Sequence, residues 1–175
     1  MIQKCSLGRV FRIFVDEPLK IHYIKEISKK INLAPTSVKK HIGELKKQEL
    51  IIKKQGERFF GFIANRDNDN FIFYKKIFNL INLKESGLLS HIIKNLYPQT
   101  IVLYGSYLQG EDVEKSDIDL LIISKSKKIL KTEKFEKTLQ RKIHIIIESK
   151  LNKLPKELQS EIINGLVLYG YLKNE

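Results

Sequence analysis

Two short groups of residues near the middle of the chain have the types and spacing needed for phosphate and metal chemistry. Gly105 and Ser106 follow an apolar run at 101–104. Glycine lets a phosphate approach the backbone, and the serine hydroxyl can donate a hydrogen bond to it. A helix beginning at Ser106 would add backbone N–H donors for the same anion.

Asp117 and Asp119 form the second group. They are two apart in a predicted strand, so both carboxylates point to the same face. Mg²⁺ prefers oxygen ligands and is usually shared with substrate phosphates. The two groups together therefore predict nucleotide chemistry. The simpler alternative is a glycine turn followed by a strand whose aspartates face solvent.

Alternating strands and helices surround these residues. After the strand that carries the aspartates, the pattern predicts a helix over 131–140, a strand over 142–148 and a closing helix that opens at Pro155. This order is typical of a small α/β domain on a mixed sheet. The final apolar stretch at 164–172 is predicted to pack against that domain.

The spacing of these motifs resembles that of the nucleotidyltransferase superfamily, which has the DNA polymerase β-like fold. Gly105-Ser106, Gly110 and the run SDIDL at 116–120 are most similar to the minimal nucleotidyltransferases of archaea and bacteria. The resemblance implies transfer of a nucleoside monophosphate from an NTP with release of pyrophosphate, using two Mg²⁺ ions if the domain is active. The residues that it implies are Asp117 and Asp119 as catalytic metal ligands, and Gly105, Ser106 and Gly110 as nucleotide-binding residues.

The chain departs from the superfamily pattern at the third carboxylate, which normally lies on the next strand. The corresponding position here is His144, which is a poor ligand for Mg²⁺ but can accept a proton. Glu148 has the same strand parity but lies roughly 13 Å further along. Three outcomes stay open: His144 is the catalytic base, Glu148 or another acid takes its place, or the domain binds nucleotide without turnover. A second departure is Gln109, where the small nucleotidyltransferases often have arginine.

Three short helices and a hairpin are predicted for the first third of the chain. Apolar residues recur at helical spacing over 7–15, 24–31 and 38–45, and Pro35 suits the first turn of the third helix. The apolar arms at 51–52 and 59–63 flank a predicted turn at 53–58.

Positive charge is concentrated in this same part of the chain. Residues 1–66 hold 15 Lys and Arg against 6 Asp and Glu, a net charge of +9, whereas the remaining residues carry a net charge of +3. Such a basic segment indicates a polyanionic partner.

The three helices and the hairpin resemble a winged helix-turn-helix domain, and residues 26–51 are similar to the paired helices of ArsR- and MarR-like regulators. The resemblance implies binding to double-stranded DNA, with the third helix in the major groove and the hairpin against the backbone or minor groove. The implied groove-side residues are Thr36, Ser37, Lys39 and Lys40, and the implied phosphate contacts are Lys53, Lys54 and Arg58. The alternative is a solvated lysine face on a protein-contact or dimerisation module.

Composition indicates a globular protein and excludes several other classes. The chain has 175 residues, 42% of them hydrophobic and 30% charged, as expected for one large or two small globular domains. Its single cysteine excludes an internal disulfide and a cysteine zinc site. No apolar run approaches the length of a membrane span and no signal-peptide pattern is present, so we expect no membrane partner and a cytoplasmic location.

Together these patterns predict an α+β chain in three parts: a winged helix-turn-helix domain at 1–66, a helical connector at 67–97, and a small α/β nucleotidyltransferase domain with a mixed sheet at 98–175. The whole order resembles archaeal DNA-binding proteins that carry this fusion.

The leading functional hypothesis is a DNA-binding, Mg²⁺-dependent nucleotidyltransferase. The alternative is a transcriptional regulator whose nucleotidyltransferase-like domain binds nucleotide without catalysis. A third hypothesis, which rests on family analogy alone, is an antitoxin-like protein that nucleotidylates a toxin. A homodimer is one option for the assembly, since winged-helix regulators commonly bind paired half-sites. The nucleotide, the acceptor and the DNA sequence stay open.

Overall fold

Helices and a hairpin build the first of two units in the computed structural model, which describes residues 5–126 and 128–172. The units are Met1–Phe78 and Asn79–Glu175. The elements of the first are α1 (Ser6–Asp16), α2 (Ile24–Ile31), α3 (Pro35–Lys47), β1 (Ile51–Gln55) and β2 (Phe60–Ala64). Helix α3 begins at the predicted proline, whose missing N–H costs nothing in the first turn.

The β1–β2 hairpin is longer than the sequence predicted. Its antiparallel pairing runs from Ile51 opposite Ala64 to Gln55 opposite Phe60. The predicted turn at 53–58 is therefore wrong in extent: Lys53 and Lys54 lie in β1, and the turn occupies only 56–59. Apolar arms mark only the part of a hairpin that is buried, whereas backbone pairing continues through solvent-facing polar residues.

Apolar faces of the helices form the core of the first unit. Phe14, Ile27 and Val38 are among its fully buried residues, and Phe71 and Phe78 of α4 (Asp69–Glu85) belong to the same core. Helix α5 (Leu88–Leu96), by contrast, packs in the core of the second unit. The segment 67–97, predicted as a connector, thus contributes apolar residues to both cores.

A four-stranded mixed sheet forms the centre of the second unit, in the order β5-β4-β3-β6. Strand β4 pairs antiparallel with β3 and parallel with β5, and β3 pairs antiparallel with β6. The predicted mixed sheet is therefore confirmed. Its elements are β3 (Thr100–Tyr104), α6 (Gly105–Gln109), β4 (Ile118–Ile123), α7 (Glu133–Leu139), β5 (Ile143–Glu148), a 3₁₀ turn (Leu151–Lys153), α8 (Lys156–Ile163) and β6 (Leu166–Gly170).

Side chains alternate between the two faces of this sheet. Ile118, Leu120 and Ile122 of β4 share one core with apolar residues of α5 and α7. Leu121 and Ile123 share another with Ile162 of α8. Because the period is two, Asp119 belongs to the face that Leu121 and Ile123 share with α8.

The apolar C-terminal stretch becomes β6, an edge strand beside β3. Thr100 Oγ1 of β3 also donates a 2.5 Å hydrogen bond to the Tyr171 carbonyl, so the expectation that this stretch packs against the domain is met. Of the helices in the described part of the chain, none combines the length and the apolar composition that a membrane crossing requires.

Candidate active site

The turn between β3 and α6 brings the Gly-Ser motif against an aspartate. Gly105 has a φ of +75°, and a Cβ on it would lie 2.7 Å from Asp119 Oδ2. Only glycine tolerates both the left-handed backbone and this close approach. Ser106 follows in the first turn of α6, half-buried, and its hydroxyl makes no hydrogen bond within the described part of the chain. Gly110 has a φ of +72° and ends α6.

Three polar side chains lie in a row across the sheet. Tyr104 of β3 is the strand partner of Asp119 in β4, and Asp119 is the partner of His144 in β5. His144 Nδ1 lies 3.1 Å from Asp119 Oδ1. Because the carboxylate can only accept, Nδ1 carries the proton, and Nε2 of a neutral imidazole is left able to take one. The His144 side chain is 57% exposed and that of Asp119 is 25% exposed, so both are accessible to a ligand.

Tyr104 was not singled out by sequence reasoning, because its position in a buried strand resembles that of any core residue. Burial raises its pKa to about 12, and the negative charges of Asp119 and Glu161 raise it in the same direction. The phenol therefore stays protonated at neutral pH and is a hydrogen-bond donor rather than a base.

Asp117 lies one residue before β4, not within the strand as predicted. The parallel ladder begins just after it, where the Ile118 N–H donates to the Lys142 carbonyl at 2.8 Å. Asp117 is exposed and lines a cleft of about 720 Å³. The cleft is also lined by three lysines and three glutamates: Lys115, Lys137, Lys142, Glu114, Glu133 and Glu136. A cleft of this volume is in the range that holds a small ligand.

The described residues do not form a complete set of ligands for a divalent cation. Asp117 and Asp119 supply the oxygens that Mg²⁺ prefers, but the next donor beside Asp119 is the His144 imidazole. Glu148 is the strand partner of Ile123, four residues beyond Asp119, and its Oε2 accepts from the Ser149 N–H. Among the described residues, no group of three His, Cys, Asp or Glu side chains is arranged to hold a metal ion.

A buried polar network next to the site was missed by sequence reasoning. Asp112 is fully buried; its Oδ1 accepts from Asn79 Nδ2 at 2.8 Å and its Oδ2 lies 3.2 Å from Arg141 Nη2. Asn79 also exchanges hydrogen bonds with Tyr107 of α6. The network ties the α6–β4 loop, which carries Asp117, to Arg141, two residues before β5. In the sequence Asp112 is one acid among several, so nothing marks it as buried.

The predicted DNA-binding residues lie on two elements of the first unit. Helix α3 carries exposed Thr36, Lys39 and Lys40 and half-buried Ser37, and the hairpin carries exposed Lys53, Lys54 and Arg58. None of these five cations forms an ion pair with a described residue, so their charge is available to a ligand.

Comparison with known proteins gives one match. The family model described as polymerase beta, nucleotidyltransferase, matches residues 87–174, half of the chain. Neither the search of curated proteins nor that of solved structures found a significant match.

Proposed function

The chain belongs to the polymerase β nucleotidyltransferase family, and on that premise we propose that it is a DNA-binding, Mg²⁺-dependent nucleotidyltransferase that transfers a nucleoside monophosphate from an NTP and releases pyrophosphate. The observation that carries this proposal is the contact of the Gly105 turn with the Asp119 carboxylate. A phosphate approaching the open backbone of that turn would meet a metal-binding carboxylate at the same place.

Each side chain of the site has a role in this proposal. Asp117 and Asp119 hold the cation. Ser106 Oγ and the backbone N–H at Gly105 donate hydrogen bonds to the phosphates. Gly110, with its positive φ, ends α6. When bound, Mg²⁺ neutralises charge on the phosphates and polarises the reacting phosphoryl group.

His144 takes the proton in the transfer step. The acceptor hydroxyl attacks the α-phosphorus, an O–P bond forms, and the bond to pyrophosphate breaks. The hydroxyl proton passes to His144 Nε2, which is free because Nδ1 donates to Asp119. Asp119 thereby orients the imidazole as well as binding the cation.

One observation favours a second candidate function. His144 occupies the position beside Asp119 where the superfamily pattern has its third carboxylate. With that acid missing, the domain could retain nucleotide without transferring it, and the chain would then be a DNA-binding regulator that senses the nucleotide.

Transfer of α-labelled nucleotide separates the two candidates. The assay uses each of the four ribonucleotides with Mg²⁺ or Mn²⁺ and offers the protein itself, an RNA pool and a DNA pool as acceptors. We expect label transfer and pyrophosphate release with the wild type, and loss of both in Asp119→Asn, which keeps the shape but removes the charged metal ligand. Measurable nucleotide binding without transfer to any acceptor would contradict the enzyme and support the sensor.

A further inference from the structure

The tip of the β1–β2 hairpin exposes two phenylalanines in succession. Phe59 is 72% exposed and Phe60 is 59% exposed, although neither contributes to the core of its unit. Large apolar side chains that stay exposed contribute little to folding stability, and their presence beside one turn marks a candidate interaction site.

The hairpin holds these rings on a rigid support. A Cβ at Gly56 would overlap the hydroxyl of Tyr23, and one at Gly61 would overlap the side chain of Ile21. The backbone of His22 also exchanges two hydrogen bonds with Phe62, at 2.8 and 2.9 Å. The hairpin is thus packed against residues 21–23 both at Gly56 in its turn and along β2.

Positive charge surrounds the exposed rings. Lys53, Lys54 and Arg58 are exposed on the same hairpin, and Glu57 is the one acid of the segment 51–64. Lys53 Nζ lies 4.2 Å from the centre of the Phe60 ring, whereas Phe59 is the more exposed of the two rings. The surface therefore combines phosphate-binding cations with a flat apolar side chain, and nucleic acid has the complementary combination of phosphates and stacked bases.

We propose that Phe59 is a wedge that inserts between two base pairs of duplex DNA, while Lys53, Lys54 and Arg58 bind the flanking phosphates. The proposal deepens, and rests on, the DNA-binding part of the proposed function. Insertion of an apolar side chain unstacks a base step and bends the duplex. The cost is least at flexible pyrimidine–purine steps, so the hairpin selects such steps by their deformability and not by hydrogen bonds to bases.

The test uses the full chain and 24-base-pair duplexes that contain a single TA step. The step carries 2-aminopurine, whose fluorescence rises on unstacking, and the two ends carry a fluorophore pair that reports bending. Phe59→Ala is compared with Phe73→Ala, which removes a phenylalanine that is 57% exposed on α4 of the same unit. Thermal melting of both variants verifies that folding is unchanged.

We expect the wild type and Phe73→Ala to raise the 2-aminopurine signal and bend the duplex. Phe59→Ala should lose both signals and bind about ten-fold more weakly, as expected for loss of one stacked base. The slope of log affinity against log salt should stay unchanged in Phe59→Ala, because the ring carries no charge.

Two results would overturn the wedge. If the wild type binds duplex and Phe59→Ala retains the fluorescence and bending signals, DNA binding stands and the wedge is wrong. If the wild type binds no duplex even at low salt, the DNA-binding proposal fails and the wedge fails with it. Loss of self-association in Phe59→Ala, measured by sedimentation velocity, would then assign the two rings to a contact between copies of this chain.

Discussion

At the scale of single residues, the two carboxylate oxygens of Asp119 have different neighbours. Oδ1 contacts His144 Nδ1, and Oδ2 faces the turn at Gly105. One carboxylate therefore orients the candidate base and also borders the space where phosphate would bind. Among the described residues no third acid joins Asp117 and Asp119, and in the proposed reaction this double role of Asp119 would let His144 take the proton instead.

Replacing His144 tests that role. We expect His144→Ala to lower the rate of nucleotidyl transfer by roughly 100-fold, the usual contribution of a general base, with nucleotide affinity within about two-fold of the wild type. His144→Asp should recover much of the rate, because it restores a carboxylate at the third position. Single-turnover transfer and nucleotide titration measure the two quantities.

The matched control is His91→Gln, which removes a histidine of α5 in the same unit. A His144→Ala rate equal to that of the wild type would show that proton transfer does not pass through the imidazole.

At the scale of elements, the α6–β4 loop depends on a buried ion pair. Asp112 and Arg141 are almost wholly buried, and Asn79 completes the hydrogen bonding of the carboxylate. Such a pair adds little net stability relative to apolar residues, but removing one partner leaves the other charge buried. The pair and Asn79 thereby anchor the loop that presents Asp117.

Asp112→Ala should accordingly lower the free energy of unfolding by about 3 kcal/mol. Chemical denaturation measures the loss, and Glu133→Ala, which truncates an exposed acid of α7, should change stability by less than about 0.5 kcal/mol. Equal effects of the two substitutions would mean that the Asp112–Arg141 pair does not stabilise the loop.

His22, whose backbone pairs with Phe62 of the hairpin, is a second buried polar residue. The ring is buried, packs at 5.1 Å against Phe14, and its Nε2 lies 2.9 Å from the Glu17 carbonyl, to which it donates. Burial lowers the pKa of His22 below its ordinary value of 6.5, and the hydrogen bond to Glu17 offsets only part of this effect.

The stability of the protein should therefore fall as the pH drops below about 6.5. The unfolded chain binds a proton at His22 in that range, while the folded chain does not until a lower pH, so protonation favours unfolding. Urea denaturation at pH 7.5 and 5.5 measures the change, which should be smaller in His22→Gln. An identical pH dependence in the variant would rule out His22 as its source.

At the scale of the whole molecule, charge is divided unevenly between the two ends of the chain. Residues 1–66 carry a net charge of +9 out of a total of +12, and the exposed cations of α3 and the hairpin make no ion pairs with described residues. This asymmetry supports a division of labour in which the first unit binds DNA and the second carries the nucleotide chemistry.

The double variant Lys39→Gln/Lys40→Gln should bind duplex DNA more weakly, and its slope of log affinity against log salt should fall by about two, since each phosphate contact contributes about 0.9. Lys94→Gln/Lys134→Gln removes the same charge from exposed positions of the second unit and should leave the slope unchanged. Fluorescence anisotropy at several salt concentrations measures both, and equal slopes in the two variants would contradict DNA contact through α3.

Local sequence by itself determined where several helices and strands form and where the Gly-Ser and aspartate motifs lie on them. Periodicity places α1, α2 and α3 close to their observed bounds, and the order strand, glycine turn, strand at Gly105 and Asp119 is local as well. These features are predictable because side-chain parity, the backbone freedom of glycine and the fixed φ of proline act within a few residues of the chain.

Only the tertiary structure decided what stands beside those motifs. The parallel register of β4 and β5 sets His144 beside Asp119, a neighbour that the family resemblance had only implied, and leaves Glu148 at the far end. The C-terminal strand β6 pairs with β3 rather than continuing the chain order. The burial of Asp112 against Arg141 likewise joins residues 29 positions apart. Contacts of this kind depend on how all the strands and helices share two cores, and the pattern of a single segment carries no information about its distant partners.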